Sequence, residues 1–324
     1  MPIQYISLPY EEANFCVISD SGDTIAYGKN RKIFLCNKNG EQIGKTITLT
    51  KNIICCMFIN DNELLICCKG QIVIYSMLTA ESSIIEVDKK IMPMVIDKSD
   101  DGEVLIIGAR SERKNDFYSP MLILSLEKKE VIAHTLVENM MFFSCYWDRI
   151  NKRFLMLGNY VRQISEYDWD SAIKCYEFDS QSKKAKIVRE YDENSMLFSY
   201  SASNPQFFAD NKIVCHDLNS NLFYQVDISD LQTIIEGREV PLVDGGEIFN
   251  WKYNHITCKL FFSVNRIGIL NESIFDLHIF DWKTSGDINL GVFNGNVRFL
   301  QCSKNGEVLA TVTDEEVIVF DKKF

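Results

Sequence analysis

The sequence predicts an all-β fold: a seven-bladed β-propeller of four-stranded antiparallel blades, closed by an N-terminal strand that completes the last blade. The first observation behind this is a repeat. An apolar run, a tight polar turn, a second apolar run, a loop and a third apolar run recur seven times. The turns are Ser21-Gly22-Asp23, Asp61-Asn62-Glu63, Asp101-Gly102-Glu103, Asn151-Lys152-Arg153, Asp210-Asn211-Lys212, Thr257-Cys258-Lys259 and Asn305-Gly306-Glu307. Successive turns stand 40, 40, 50, 59, 47 and 48 residues apart, the length of a four-stranded blade with variable loops. The second observation is period: the apolar runs are short, bounded by Asn, Asp and Gly, and amphipathic helical stretches are nearly absent.

Because one such blade cannot bury its own faces, the repeats must stack, and 1–324 reads as a single domain. The blades fall at about 10–50, 51–90, 91–138, 139–195, 196–244, 245–294 and 295–324 plus 1–9. In the second, 53–59, 64–68, 71–75 and 83–87 form four strands, named a to d from the inside outward. The seventh has runs at 297–302, 308–312 and 317–320 and then ends, one strand short. Residues 3–8 have the length and alternation to supply it, which removes an open sheet edge. The one expected departure from β structure is a short helical turn over 230–236.

The ends of the c strands carry a family signal. Phe178-Asp179, Phe280-Asp281 and Phe320-Asp321, with Val226-Asp227 close to them, put an aromatic or apolar residue before Asp, and Asp101-Gly102 and Asn305-Gly306 keep an Asp-Gly type turn between strands a and b. In this the chain resembles the WD40 repeat family over its full length. Blades one to three depart from the pattern with Cys36-Asn37, Tyr75-Ser76 and Leu126-Glu127, and the family's Gly-His dipeptide is absent from every repeat. The resemblance therefore implies architecture, and its buried Asp-His-Ser/Thr-Trp network does not transfer.

Composition narrows the function classes. Hydrophobic residues at 46% and aromatics at 12% supply several blade interfaces. A formal charge of -11 argues against general nucleic-acid or anionic-membrane binding and leaves room only for a local basic patch. The N-terminus does not read as a secretory signal, and no window is apolar enough to span a bilayer. Eleven cysteines, an odd number without disulfide spacing, suit a reducing compartment, so the expected location is cytoplasmic. In blade two, pairing Ile59 with Leu64 sets Cys55 opposite Cys68 and Cys56 opposite Cys67. Alternation splits the four thiols between two faces, which favours packed, reduced cysteines over a disulfide or soft-metal cage.

Departures from periodicity locate the candidate site. Most connections between strands b and c are short, but those at 110–119, 159–171 and 265–275, in blades 3, 4 and 6, are long. They carry Arg110, Arg113, Phe117, Tyr118, Tyr160, Arg162, Tyr167, Trp169, Arg266, Ile269, Leu270 and Phe275. Aromatic and Arg side chains dominate interface energetics, at about 2 kcal/mol or more for each hot spot. The expected function is a non-enzymatic scaffold that holds a protein or peptide partner with these insertions. The alternative is a propeller enzyme, resembling the lactonases and other hydrolases, with its site at the axial channel. Catalytic signals are thin: His134, His216, His255 and His278 lack metal-ligand spacing, and no Gly-rich loop opens a helix. Residues 19–24 differ from the Asp-box of sialidases in register and lack its Trp, so they read as a plain turn. Glu166, Asp168 and Asp170 read as a solvated loop, and no cofactor or metal is expected.

Overall fold

The structure is a computed structural model that describes residues 5–9, 13–113, 116–163, 169–179, 182, 184–191, 205–209, 211–217, 220–229, 234–241, 246–267 and 273–321. β1 is Tyr5–Pro9. Blade 1 holds β2 (Phe15–Ile18), β3 (Thr24–Lys29), β4 (Lys32–Asn37) and β5 (Ile47–Thr48). Blade 2 holds β6 (Ile53–Asn60), β7 (Glu63–Cys68), β8 (Gln71–Ser76) and β9 (Ser82–Glu86). Blade 3 holds β10 (Met92–Lys98), β11 (Glu103–Arg113), β12 (Asp116–Ser125) and β13 (Glu130–Glu138). Blade 4 holds β14 (Met140–Asp148), β15 (Arg153–Gln163), β16 (Trp169–Asp179) and β17 (Lys184–Tyr191). Blade 5 holds β18 (Gln206–Ala209), β19 (Lys212–His216), β20 (Leu222–Asp227) and β21 (Ile234–Glu239). Blade 6 holds β22 (Glu247–Asn254), β23 (Lys259–Ile267), β24 (Ser273–Asp281) and β25 (Gly286–Asn294). Blade 7 holds β26 (Val297–Cys302), β27 (Val308–Thr313) and β28 (Glu316–Asp321).

Each blade is a four-stranded sheet in chain order, and the fourth strand of blade 7 is β1. It pairs antiparallel with β28 from Tyr5↔Phe320 to Pro9↔Glu316. The strand lies on a sheet edge, so Pro9 costs no ladder hydrogen bond on its open side. The Tyr5 ring meets Phe293 edge-on at 5.2 Å, and the Ser7 hydroxyl donates to Glu316. The helical turn expected over 230–236 is corrected: Ile234–Glu239 is a strand, and 230–233 lie outside the described residues. The alternation of its burial is the period of a sheet, which outweighs a short local helical preference.

The chain divides into two compact units, one of Met1–Ile66, Tyr75–Glu81 and Arg238–Phe324, the other of Cys67–Ile74 and Ser82–Gly237. In the second unit, Leu105, Ile107, Met121 and Ile123 of blade 3 pack with Phe154, Met156, Tyr176 and Phe178 of blade 4. Leu157, Ile173 and Cys175 pack instead with Ile213, Cys215 and Val226 of blade 5, so alternate residues of one strand serve two cores. In the first unit, Val308, Ala310 and Val312 of blade 7 pack on Cys16, Ile25 and Tyr27 of blade 1. Its other core joins Phe261, Phe275, Leu277 and Ile279 of blade 6 to Leu300, Leu309, Ile318 and Phe320 of blade 7. Full burial of a side chain of this size contributes about 1.5–3 kcal/mol.

Turn chemistry explains the repeat. In six of the seven sequence-predicted turns the middle residue has positive φ: Gly22, Gly102, Lys152, Asn211, Cys258 and Gly306. A polar side chain at the end of strand a then closes the turn. The Ser19 hydroxyl accepts from Thr24 N–H, Asn60 from Asn62 N–H, Ser99 from Glu103 N–H, and Ser303 from Glu307 and Val308 N–H. Asp148 and Asn254 act in the same way in blades 4 and 6. These side chains supply the local acceptor that a tight turn leaves to be found. The c-to-d turns follow suit: Asn37 accepts from Asn39 and Glu41 N–H, Asp227 from Ser229 N–H, and Asp281 from Lys283 and Thr284 N–H. Ser125 accepts from Lys128 N–H, so the blade 3 counterpart is Leu124-Ser125, not Leu126-Glu127.

In the first unit the a-to-b turns and the strand ends that cap them also bond to one another. Asn254 Nδ2 donates to the carbonyls of Ser303 and Lys304, Asn305 Nδ2 to that of Ser21, and Asp61 accepts from Ser21 N–H, which ties blades 6, 7, 1 and 2 in series. In the other unit Trp147 N–H donates to Asp97 at 2.7 Å, joining blade 4 to blade 3.

Candidate functional site

The described residues of the three insertions are paired strands. β11 and β12 continue their ladder through Arg110↔Tyr118, Ser111↔Phe117 and Arg113↔Asp116. β15 and β16 continue through Tyr160↔Ala172, Arg162↔Asp170 and Gln163↔Trp169, and β23 and β24 through Asn265↔Phe275 and Ile267↔Ser273. The expectation of irregular connections is corrected for a physical reason: aromatic and β-branched residues flank these tips, and cross-strand pairing satisfies backbone groups that a loop would leave to water. The paired strands reach nine to eleven residues in blades 3, 4 and 6, against five or six in blades 1, 5 and 7.

A second feature marks the same blades. Strand d of each carries a register shift against strand c, at Ile123/Leu124, Cys175/Tyr176 and Leu277/His278. Such bulges add local twist, the means by which a long hairpin is bent relative to its own sheet. Small residues let the strands approach closely: a Cβ on Gly158 would stand 2.7 Å from the Met141 carbonyl, and one on Gly108 would stand 2.7 Å from Ile91 Cγ2.

The predicted contact residues meet different fates. Tyr118 is half-buried on β12, paired with Glu138 of β13. Tyr160 is half-buried, with Lys174 Nζ 3.7 Å above its ring, and the same ammonium pairs with Glu190 at 3.0 Å. This cation on the π face holds the Tyr160 ring in place. Arg266 is clamped rather than offered: its Nε and Nη2 donate to the two oxygens of buried Asp276 at 2.7 and 3.3 Å. Phe275 is wholly buried and stacks on Phe293 at 5.3 Å, so it anchors the base of the hairpin and offers no surface. Arg110, Arg113, Phe117, Arg162 and Trp169 lie on the paired strands at the registers given above. Tyr167, Ile269 and Leu270 lie outside the described residues, as do Glu166 and Asp168.

Sequence reading missed a charged network at the other end of blade 4. Asp148, fully buried, accepts from Ile150 and Asn151 N–H, Asn151 Nδ2 and Arg153 Nε. Arg153 also bonds to Glu177, which Lys186 pairs from its other side. Burial alone would raise both carboxyls, but hydrogen bonds from Asn151 and Arg153 hold Asp148 below the usual range. Those from Lys186 and Arg153 do the same for Glu177. The readable signal was Asp148 three residues ahead of a predicted turn.

None of the eleven cysteines is in a disulfide. Burial pushes the Cys36 and Cys175 thiols up to about 12 and raises those of Cys16 and Cys215 as well, so these behave as small apolar groups. Among the described residues no group of three or more His, Cys, Asp or Glu is arranged to hold a metal, and no helix is long and apolar enough to cross a membrane.

Neither a family model nor a curated protein matches the chain. Solved structures do. The β-propeller domain of Myceliophteria thermophila Cps50 (Swd1) matches with a TM-score of 0.61 at 7% identity, covering 99% of this chain and 100% of that one. The Dos1 propeller matches with a TM-score of 0.57 at 11% identity, covering 96% of this chain and 79% of that one. Likeness at such low identity speaks to fold alone, and together with seven four-stranded blades it assigns the chain the fold of a seven-bladed β-propeller.

Proposed function

We propose that the chain is a non-enzymatic interaction scaffold, which recognises a protein or peptide partner through the extended b-to-c hairpins of blades 3 and 4 and, independently, that of blade 6. The observation that carries this reading is the contrast in strand length. Eleven-residue strands in blade 4 stand beside six-residue strands in blades 1 and 7, although the latter already bury their cores fully. Hairpin length beyond what the core needs is surface, and per-repeat insertions of this kind are commonly used for binding. The bulged d strands and the Lys174–Tyr160 contact support it, because a rigid hairpin loses less entropy on binding than a loop.

The test is a quantitative pull-down with immobilised chain, wild type against a combined Tyr118→Ala, Tyr167→Ala and Trp169→Ala variant whose melting temperature confirms folding. Partner recovery should fall by about tenfold or more, as expected for loss of aromatic anchors. Equal recovery from a folded variant would remove the hairpins of blades 3 and 4 from the interface.

A further inference from the structure

The sequence holds three Asn-Gly steps, Asn39-Gly40, Asn294-Gly295 and Asn305-Gly306. Such a step is chemically fragile, because glycine has no Cβ to shield its backbone nitrogen from the carboxamide of the residue before it. The fold protects the three unequally. Asn305 is tied at both ends of its carboxamide: Oδ1 accepts from the Ser303 hydroxyl at 2.6 Å and from Glu307 N–H at 3.0 Å, while Nδ2 donates to the Ser21 carbonyl at 3.4 Å and to the Glu307 carboxylate at 3.2 Å. Asn294 is the last residue of β25 and lies opposite Ile274, and Gly295 N–H donates to the Ser273 carbonyl at 2.8 Å. Its backbone can rearrange only if the end of the sheet unpairs.

Asn39 has neither restraint. It is exposed, and its carboxamide meets no hydrogen-bond partner among the described residues. It stands in the c-to-d turn of blade 1, where Gly40 N–H donates to the Asn37 carbonyl and Asn39 N–H to Asn37 Oδ1, both at 2.9 Å. Freeing the Gly40 nitrogen breaks one turn bond and unpairs no strand. We propose that Asn39 is a site of spontaneous deamidation, modified ahead of Asn294 and Asn305. The Gly40 nitrogen gives its proton to solvent hydroxide and attacks Asn39 Cγ. The new C–N bond closes a five-membered succinimide as the Cγ–Nδ2 bond breaks, and Nδ2 takes up a solvent proton to leave as ammonia. Water then opens the ring at either carbonyl, which gives aspartate or isoaspartate at position 39. In the second product the backbone runs through the former side chain and is longer by one methylene.

The turn lies where such a change has structural consequences. Gly40, at φ 78°, is pressed against β1: a Cβ built on it would stand 2.5 Å from Ile6 Cγ2 and 3.3 Å from Leu8 Cδ2. An added methylene in the adjoining backbone therefore pushes on β1, the edge strand that completes blade 7. Beside it, Lys38 Nζ reaches Asp321, the last residue of β28, at 3.8 Å. A new carboxylate at position 39 competes with Asp321 for that ammonium. Edge elements with few buried contacts are the first to open locally, and β1 buries Tyr5 and Ser7 poorly. Isoaspartate at position 39 thus loosens β1 from β28 and makes the completion of blade 7 dependent on the age of the molecule.

The experiment ages the full chain at mildly alkaline pH and follows the one-dalton gain at each Asn-Gly step by peptide mapping, with electron-transfer fragmentation to tell isoaspartate from aspartate. Conversion at Asn39 should outpace that at Asn305 by about tenfold or more, because the hydrogen bonds that hold Asn305 must first break. Hydrogen exchange over Tyr5–Pro9 should be faster in the aged chain than in the fresh one. Ageing should leave that exchange unchanged in Asn39→Ser, which removes the carboxamide and keeps a residue suited to turns. Conversion at Asn294 or Asn305 as early as at Asn39 overturns the site. Isoaspartate at position 39 with the exchange of the fresh chain overturns its coupling to β1, as does an equal acceleration in aged Asn39→Ser. Should that variant fold poorly, the comparison of aged with fresh wild type decides by itself.

Discussion

The two ends of the blades are built on opposite principles. At the a-to-b end, six of the seven blades share one device: a polar cap from strand a and a left-handed residue at the turn's centre, or, in blade 2, the cap alone. In the first unit those turns then bond from blade to blade, and in the other a strand-end bond joins blades 3 and 4. At the b-to-c end the length differs between blades: two-residue turns in blades 1, 2 and 7 stand against long ladders in blades 3, 4 and 6. The lesson is that stability and variability are separated along the strand axis. One end registers neighbouring sheets with a repeated side-chain device, and the other varies in length from blade to blade.

The sharpest way to break this comparison is at the buried cap of blade 4. Asp148→Ala leaves Arg153 and Glu177 partly buried with an acceptor missing, and urea unfolding should show a loss of about 3 kcal/mol. A loss below about 1 kcal/mol would mean that the cap is ornamental. Next in size, Gly158→Ala forces a Cβ to 2.7 Å from the Met141 carbonyl and 2.9 Å from Phe142 Cα. Overpacking of that severity should cost about 1–3 kcal/mol, read as a lower urea midpoint at unchanged slope.

Acid should act through the same cap. Asp148 and Glu177 are held below their ordinary values in the folded state, so the stability they add is fully present above the unfolded carboxylate pKa of about 4. It is lost as pH falls through the lower folded values. A melting-temperature profile should therefore drop below about pH 4, and the drop should be shallower in Asp148→Asn. A parallel profile in that variant would assign the acid sensitivity elsewhere.

Smaller effects sharpen the contrast. Lys152 holds φ 51° where blades 1, 3 and 7 use glycine. Lys152→Gly should stabilise by up to about 1 kcal/mol, a rise in melting temperature that a destabilised variant would contradict. Smallest of all, excising residues 161–171 and closing the blade 4 hairpin with Asn-Gly should change stability by less than about 1 kcal/mol. Loss of cooperative unfolding in that deletion would show that the hairpin belongs to the core after all.

Much of this was legible in the chain itself. Gly22, Gly102 and Gly306 announce left-handed turns, and the apolar-Asp endings of β20 and β24 mark where strand c stops because that Asp, like Asn37 and Ser125 in blades 1 and 3, caps the next turn. The a-strand caps were less visible, since Ser19, Ser99 and Ser303 look like any loop serine until the turn folds back on them. Phe275 was misleading for a similar reason: an aromatic residue has the same composition whether it anchors a core or meets a partner. Only its place beneath Phe293 separates the two.

By itself the sequence determined the number of blades, the order of strands and the pairing of Tyr5–Pro9 with the last blade, because these follow from the period of apolar residues and from local turn chemistry. Tertiary structure alone decided that the described parts of the insertions are continued sheets and that Arg266 belongs to Asp276. Those outcomes depend on which residues face each other across strands and on which backbone groups find partners. Both are fixed by register and packing between segments distant in the chain.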